Sequence, residues 1–467
     1  MNDDDLCKLD LTEASRCLER REVSSVDLTQ AILRRIARLD GALKSYATMT
    51  PEVALGQARR ADEEIRRGAI RGPLHGVPVA VKDLCNTEGI ATAAGMAIHR
   101  SHVPGRDATV VARLKAAGAV LLGKLQMTEG AMSTHHPSIA PPVNPWGEAL
   151  WPGVSSSGSG VATAAGLCFG SLGSDTLGSI RFPSAMNGLT GLKPTWGRVS
   201  RAGVFALAES LDHIGPMTRS AADAAAMLGA IAGPDADDPT ALLAPVPDYL
   251  AGIGGGVRGL RVGIDRALNA AGADEDMVRA SAEACAVLAR HGAIVRDVVF
   301  PSPDEVARDA VLLCAIEAAV AHEATYPARA AEYGPVFAAF LDTGRGVDAA
   351  TLAKIQKRRA EFSGRLEALF GEIDVLIVPA LNKAGLTLAE LSQKVADPSL
   401  ARFARVRFTS PFDMSRSPAL VLPGGKTAAG LPVGFQMIGR HLEEALLLRA
   451  GHAFQQATDW HRRRPPV

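Results

Sequence analysis

Ser179 stands in the stretch "GSDTLGSIRFPSA" (173–185), crowded by small residues, with Asp175 before it and Arg181 after it. A serine nucleophile needs a base to take its proton, and the stretch holds no histidine. It is also not the G-x-S-x-G elbow of the α/β-hydrolases. Two other parts of the chain could fill that gap. Lys82 ends the apolar run 77–81, and burying an ammonium is costly, so a desolvated lysine there has a lowered pKa and can accept a proton. The stretch "PGVSSSGSG" (152–160) offers hydroxyls on a glycine-bounded loop, and one of them could relay that proton, as in Ser-Lys variants of the serine triad. Successive backbone N–H groups on the tight turn "DTLGS" could converge as an oxyanion hole. Each part alone has a plainer reading. Lys82 could snorkel from a strand end, and the serine loop could be a turn or a helix cap. Spacing leaves both open.

Other motifs carry less. "GAVLLGKL" (118–125) comes within one residue of a phosphate-binding loop, but Leu125 replaces the magnesium-binding hydroxyl and the interior reads as a strand. Gly254, Gly256 and Gly259 satisfy G-x-G-x-x-G, yet they precede a strand where the dinucleotide fingerprint follows one, so they read as a turn. His135 and His136 are adjacent, face differently and lack a carboxylate at ligand spacing, which favours pocket-lining or structural histidines over a metal site. The six cysteines are scattered with no C-x-x-C pair, so neither a disulfide framework nor zinc is expected.

The elements that must position these residues alternate. The first sixty-odd residues read as helices: Ser24 to Asp27 resembles a capping box, with Leu28, Ile32, Ile36 and Leu39 at helical spacing behind it. Thr50-Pro51 opens a second helix that Gly68 can stop. A buried strand is predicted over 77–81, a helix over 107–117 and a strand over 119–125. The Gly- and Ser-rich region 144–203 is interrupted by "VATAAGLCFGSLG", too apolar for a linker, and implies close backbone packing. Further on, 217–370 reads as mostly helical with a strand at 260–266, followed by strands at 373–381 and 431–439 and a helix over 443–457. This is an α/β pattern with no internal repeat and no polar linker. One large domain spanning 1–467 is expected, with a helical part (1–68), a core (72–235), a variable helical part (236–370) and a closing part (371–467).

Lys+Arg and Asp+Glu are both 50 in 467 residues, which leaves no electrostatic footprint for nucleic acid or an anionic membrane. No apolar run approaches the roughly 20 residues of a membrane span, and the acidic start "MNDDDLCKLD" lacks a signal-peptide h-region. A cytoplasmic protein, monomeric or homo-oligomeric, is expected.

Over 144–200 the chain resembles the amidase signature family, whose defining region runs from a serine pair to a D-x-G-G-S-x-R-x-P-type block; "GPLHGVPVAVKDL" and 431–465 resemble it too. The resemblance is weakest over about 235–370. It implies a twisted mixed sheet covered by helices on both faces, with Ser179 as nucleophile, Ser155 as the relay behind a cis peptide bond, and Lys82 as base. The N–H groups of Thr176, Leu177, Gly178 and Ser179 match the oxyanion hole. The implied activity is cleavage of a carboxylic amide through an acyl-enzyme, with aryl amides, carbamates or esters as possible substrates and no metal or cofactor. A glutaminase component of a tRNA-dependent amidotransferase is the nearest alternative, and a catalytically dead binding protein a more distant one. Three positions depart from the usual glycines of the pattern: Val154, Ser157 and Leu177. Segments 305–370 and 405–418 are expected to wall the substrate pocket.

Overall fold

Runs of Val, Leu and Ile too short for helices become the interior strands of one sheet. In a computed structural model, which describes residues 2–392 and 404–467, eleven strands join edge to edge. In chain order they are β1 (Tyr46–Met49), β2 (Pro78–Lys82), β3 (Val120–Leu125), β4 (Gly170–Asp175), β5 (Thr190–Lys193), β6 (His213–Thr218), β7 (Arg261–Ile264), β8 (Ile294–Asp297), β9 (Val375–Pro379), β10 (Ala419–Lys426) and β11 (Pro432–Gly439). Their spatial order is β1-β3-β2-β4-β6-β5-β10-β11-β9-β7-β8. The β3-β2-β4 and β9-β7-β8 neighbours are parallel and the remaining pairs antiparallel, so the α/β sheet is mixed.

Every residue of β2, β3, β4, β6, β9 and β11 is buried. An alternating strand would leave one face wet; unbroken burial means that helices cover both faces. The main apolar core runs from Leu6 to Phe454. Helix starts follow their caps. Ser24 accepts from the Asp27 N–H while Asp27 reaches back, and the helix Ser25–Leu43 buries Leu28, Ile32 and Ile36. Pro51 opens the helix Pro51–Arg66, although Thr50 makes no side-chain cap.

The expectations for 77–81, 107–117, 119–125, 260–266, 373–381 and 431–439 each meet an element of the expected type. The helical reading of the first sixty-odd residues needs one correction, because Tyr46–Met49 is an edge strand antiparallel to β3. "GAVLLGKL" is strand β3 and its approach, and the glycines at 254–259 form the turn before β7, with Gly256 and Gly259 at positive φ.

Parallel strands β3, β2 and β4 all end on the same side of the sheet. The segments leaving their carboxyl ends carry the polar groups that matter below, which is where open α/β sheets hold ligands.

Candidate active site

Lys82 is the last residue of β2 and is fully buried. Its Nζ meets three hydroxyls: Ser155 Oγ at 2.6 Å, Ser174 Oγ at 2.8 Å and Ser156 Oγ at 3.0 Å. The Ser156 hydroxyl donates to the Ser174 carbonyl at 3.1 Å, so toward Lys82 it can only accept. A neutral amine has two N–H groups and one lone pair. With the N–H groups on Ser156 and Ser174, the lone pair is left for the closest hydroxyl, Ser155. Burial is the main influence on Lys82 and pushes its pKa down to about 7; Cys85, Asp212 and Asp175 oppose it only in part. A base titrating there is free only above its pKa. The activity toward a neutral amide is therefore expected to rise with pH through a limb within about one unit of 7 and to fall as Lys82 becomes an ammonium. A pH–rate profile checks this, and a limb near the ordinary lysine value would contradict it.

Ser155 and Ser156 enter the helix Ser157–Ala164, all of it buried. The Val154–Ser155 peptide bond is cis. Gly158 is required for close approach, because a Cβ there would lie 2.4 Å from the Ser45 carbonyl oxygen. The Gly158 N–H donates to the Gln126 carbonyl and the Thr128 N–H to the Ser155 carbonyl, which fixes the segment after β3 over the serines.

The turn after β4 is organised by Asp175. Its carboxylate accepts from the N–H groups of Gly178 (2.7 Å), Ile180 (3.1 Å) and Arg181 (3.3 Å) and from the Arg181 guanidinium (2.9 and 3.0 Å). Burial alone would raise the Asp175 pKa, but Arg181 prevails and holds it well below the usual carboxylate range. Arg181 also reaches Asp413 at 2.6 Å and the Thr409 carbonyl at 2.8 Å. Asp212 anchors the start of the turn: it accepts from Thr176 Oγ1 at 2.6 Å and from the N–H groups of Leu207 and Ala208. Ser179 emerges from this turn partly exposed, and its carbonyl lies 3.4 Å from the Ser156 N–H.

The four amides of the turn are not equivalent in the structure. The Gly178 N–H is committed to Asp175, so the amides of Thr176, Leu177 and Ser179 are the three left without an acceptor among the described residues. Gly178 is needed for another reason. Its φ is +136°, and a Cβ would meet the Phe182 ring at 2.4 Å. Leu177 does not share that conformation, since its φ is not positive, so the leucine causes no backbone strain. Its side chain packs against the smaller apolar cluster that contains Trp151, Phe182 and Met186. Replacing Asp175 with asparagine is expected to cost about 3–5 kcal/mol, the usual penalty for removing one member of a buried ion pair. A melting curve against the unaltered protein measures it.

The structure thus brings Lys82 and Ser155 into contact and sets the Ser179 turn beside them. Ser156 and Ser174 are the Lys82 partners that sequence reasoning missed. Their signal was present: three serines in a row, and a serine one residue before Asp175. His135 and His136 do not meet the lysine; His135 Nε2 lies 3.0 Å from Ser157 Oγ, and His136 Nδ1 lies 2.7 Å from Ser138 Oγ. Among the described residues no cluster of His, Cys, Asp and Glu is placed to hold a metal ion, and no helix is long and apolar enough to cross a membrane.

Two cavities flank the site. One, of about 250 Å³, reaches Ser174 and Asp212 and is rimmed by Arg201, Glu209 and Asp238. The other, of about 480 Å³, is lined by Val154, Trp151, His135, Leu388 and Arg405 among others. The expected wall segment 405–418 contributes Arg405. No residue of 305–370 lines either cavity; that segment instead braces the loop after β3, through the Gly334 N–H on Glu129 and the Phe337 ring against Gly130.

A fully buried lysine thus meets Ser155, with Ser179 beside them on an amide-rich turn. The Amidase family model matches residues 27–448, and the chain belongs to that family. It is 51% identical over 468 residues to a provisionally named amidase, AmiD, of Mycobacterium tuberculosis, covering 100% of this chain and 98% of the relative. It is 39% identical to the A component of the glutamyl-tRNA(Gln) amidotransferase of a Geobacter species, covering 98% of this chain and 99% of that one. The structure of a peptide amidase bound to the competitive inhibitor chymostatin superposes with a TM-score of 0.85 at 31% identity, over 98% of this chain and 99% of that one.

Proposed function

We propose that the chain, acting as one amidase domain, hydrolyses carboxylic amides through an acyl-enzyme on Ser179. Ser179 Oγ attacks the carbonyl carbon while Lys82 takes its proton through Ser155. The N–H groups of Thr176, Leu177 and Ser179 hold the developing oxyanion; losing one such donor typically costs ~10²–10³ in rate. The C–N bond breaks, and the proton returns through Ser155 to the leaving amine. Water then attacks the Ser179 ester, giving its proton to the same pair, and the acid departs with Ser179 restored. Amide and water become acid and amine, with no further reactant.

The observation that carries this reading is the 2.6 Å contact between a fully buried Lys82 and Ser155. The names of AmiD and of the peptide amidase support the same reaction class. Labelling with a fluorophosphonate is expected to give one adduct, on Ser179, and an unlabelled Ser179 would refute the assignment. A hydrolysis panel of aliphatic, aryl and peptide amides, carbamates, esters and glutamine then ranks substrates. The amidotransferase relatives favour a second reading, as the glutaminase component of such a complex. Glutamine hydrolysis that appears only with added partner proteins would support it, and amide hydrolysis by the isolated chain would exclude it.

A further inference from the structure

His213 is buried and the mechanism above gives it no task, yet both of its ring nitrogens are engaged. Lys193 Nζ lies 3.2 Å from Nε2 and 2.6 Å from the Ser417 carbonyl. Burial lowers the Lys193 pKa to about 8, so at neutral pH it is still an ammonium, with N–H groups to give and no lone pair. Nε2 must then accept. Burial also pushes the His213 pKa well below its ordinary value, so the ring is neutral and carries one hydrogen. That hydrogen is left for Nδ1, which faces the Asp175 carbonyl at 3.2 Å. The other acceptor near Nδ1, Asp413 Oδ1, is farther away, at 3.7 Å.

The Asp175 carbonyl belongs to the same peptide unit as the Thr176 N–H, one of the turn amides without an acceptor among the described residues. A peptide unit is planar and trans, so its C=O and N–H point in opposite directions. A grip on the carbonyl therefore aims the amide. Strand pairing contributes, since Asp175 stands opposite His213 where β4 meets β6. Strand β4 ends there, and Thr176 lies beyond it. Asp212 takes over: its carboxylate accepts from Thr176 Oγ1 at 2.6 Å and is itself fixed by the N–H groups of Leu207 (2.8 Å) and Ala208 (3.0 Å). Two adjacent residues thus hold the Thr176 peptide unit, one by its carbonyl and one by the side chain behind its N–H. The Asp175 carboxylate cannot do this, because it serves Gly178, Ile180 and Arg181.

Resting on the acyl-enzyme reading above, we infer that Asp212 and His213 are positioning residues that aim the Thr176 amide at the developing oxyanion, with Lys193 setting the ring tautomer that His213 needs. They act through Thr176 and not on the reacting atoms.

Two kinds of measurement test this. Long-range proton–nitrogen NMR of the unaltered protein, with the His213 ring assigned through its own backbone, is expected to show a neutral ring protonated on Nδ1. A ring protonated on Nε2 overturns the inference, and this result needs no variant to fold. In kinetics with the fastest amide of the panel above, Thr176→Val and His213→Ala are each expected to lower kcat by about 10–100-fold, up to the cost of losing an oxyanion donor outright, and to leave KM within about twofold. Fluorophosphonate labelling of Ser179, which places a phosphoryl oxygen in the same hole, should slow by a similar factor. Thr176→Ser keeps the hydroxyl and should retain more activity than Thr176→Val. Lys193→Gln keeps an N–H for Nε2 and should retain more than Lys193→Met. Asp212→Asn combined with Thr176→Val should lose little more than Thr176→Val alone, because both act on one contact. Unchanged kcat in Thr176→Val and His213→Ala, or a loss that falls on KM instead, overturns the inference. If that happens while Ser179→Ala is inactive, the positioning inference fails alone. If Ser179→Ala still turns over amides, the acyl-enzyme reading fails instead.

Discussion

Ser179→Ala is expected to remove turnover by on the order of 10⁴–10⁶, the scale seen when a hydrolase loses its nucleophile, while leaving the fold intact. The two halves of that expectation have separate physical sources. In the proposed mechanism the hydroxyl supplies the atom that bonds to the acyl carbon. The turn itself is held by other groups, the Asp175 carboxylate and the Arg181 guanidinium, with Thr409 and Asp413 behind them. Ser179 is partly exposed, and removing its oxygen leaves those contacts alone. Stability should change by no more than about 0.5 kcal/mol, as for ordinary surface positions. Circular dichroism melting, run beside a kinetic assay, reads both halves. Near-normal activity would end the assignment of Ser179, and a large drop in melting temperature would make the kinetic result uninformative until a Ser179→Cys variant is compared.

Lys82→Ala is expected to lower activity by about 10³–10⁴ at every accessible pH, the upper part of what a positioned base contributes. The loss should not recover at high pH, because among the described residues no second group meets Ser155 in the way Lys82 does. Alanine also leaves a cavity and strips a partner from three hydroxyls, so some destabilisation is expected. Lys82→Met keeps the length and removes only the amine. Loss of activity in both variants assigns the effect to the nitrogen, whereas strong retained activity in Lys82→Met would redirect attention to His135.

Much of the fold was legible because the strands at 78–82, 120–125, 375–379 and 432–439 are apolar runs that stand out from their flanks. Strand β4 was not legible as one. Its sequence, GSLGSD, is dominated by Gly and Ser because it faces the lysine nest. A side chain at Gly173 would meet Met217 Sδ at 2.7 Å and Ser156 Oγ at 2.9 Å, and Ser174 must present a hydroxyl to Lys82. Strand β6, HIGPMT, hides for a related reason: His213 is buried beside Lys193, at 3.2 Å, and a polar pair in a core breaks the apolar pattern. The edge strands β1 and β8 are four residues each and mostly unburied, too short for a run to stand out. For the site, the meeting of Lys82 with Ser155 was readable from residue types and from a family resemblance. The commitment of the Gly178 amide was not, since it depends on which way one carboxylate points.

The hold of Arg181 on Thr409 and Asp413 has a consequence for when the protein can first work. These contacts close loops of 228 and 232 residues, and such distant contacts are slow to form and cannot form at all until the later segment exists. The lysine nest, by contrast, closes within 92 residues. A chain still being synthesised can therefore bring Lys82 and its serines together long before the turn that carries Ser179 is locked. On the proposed mechanism, reactivity at Ser179 is therefore expected as a late event in the life of the chain, with an incomplete product holding Lys82 and Ser155 but no fixed serine for them to serve.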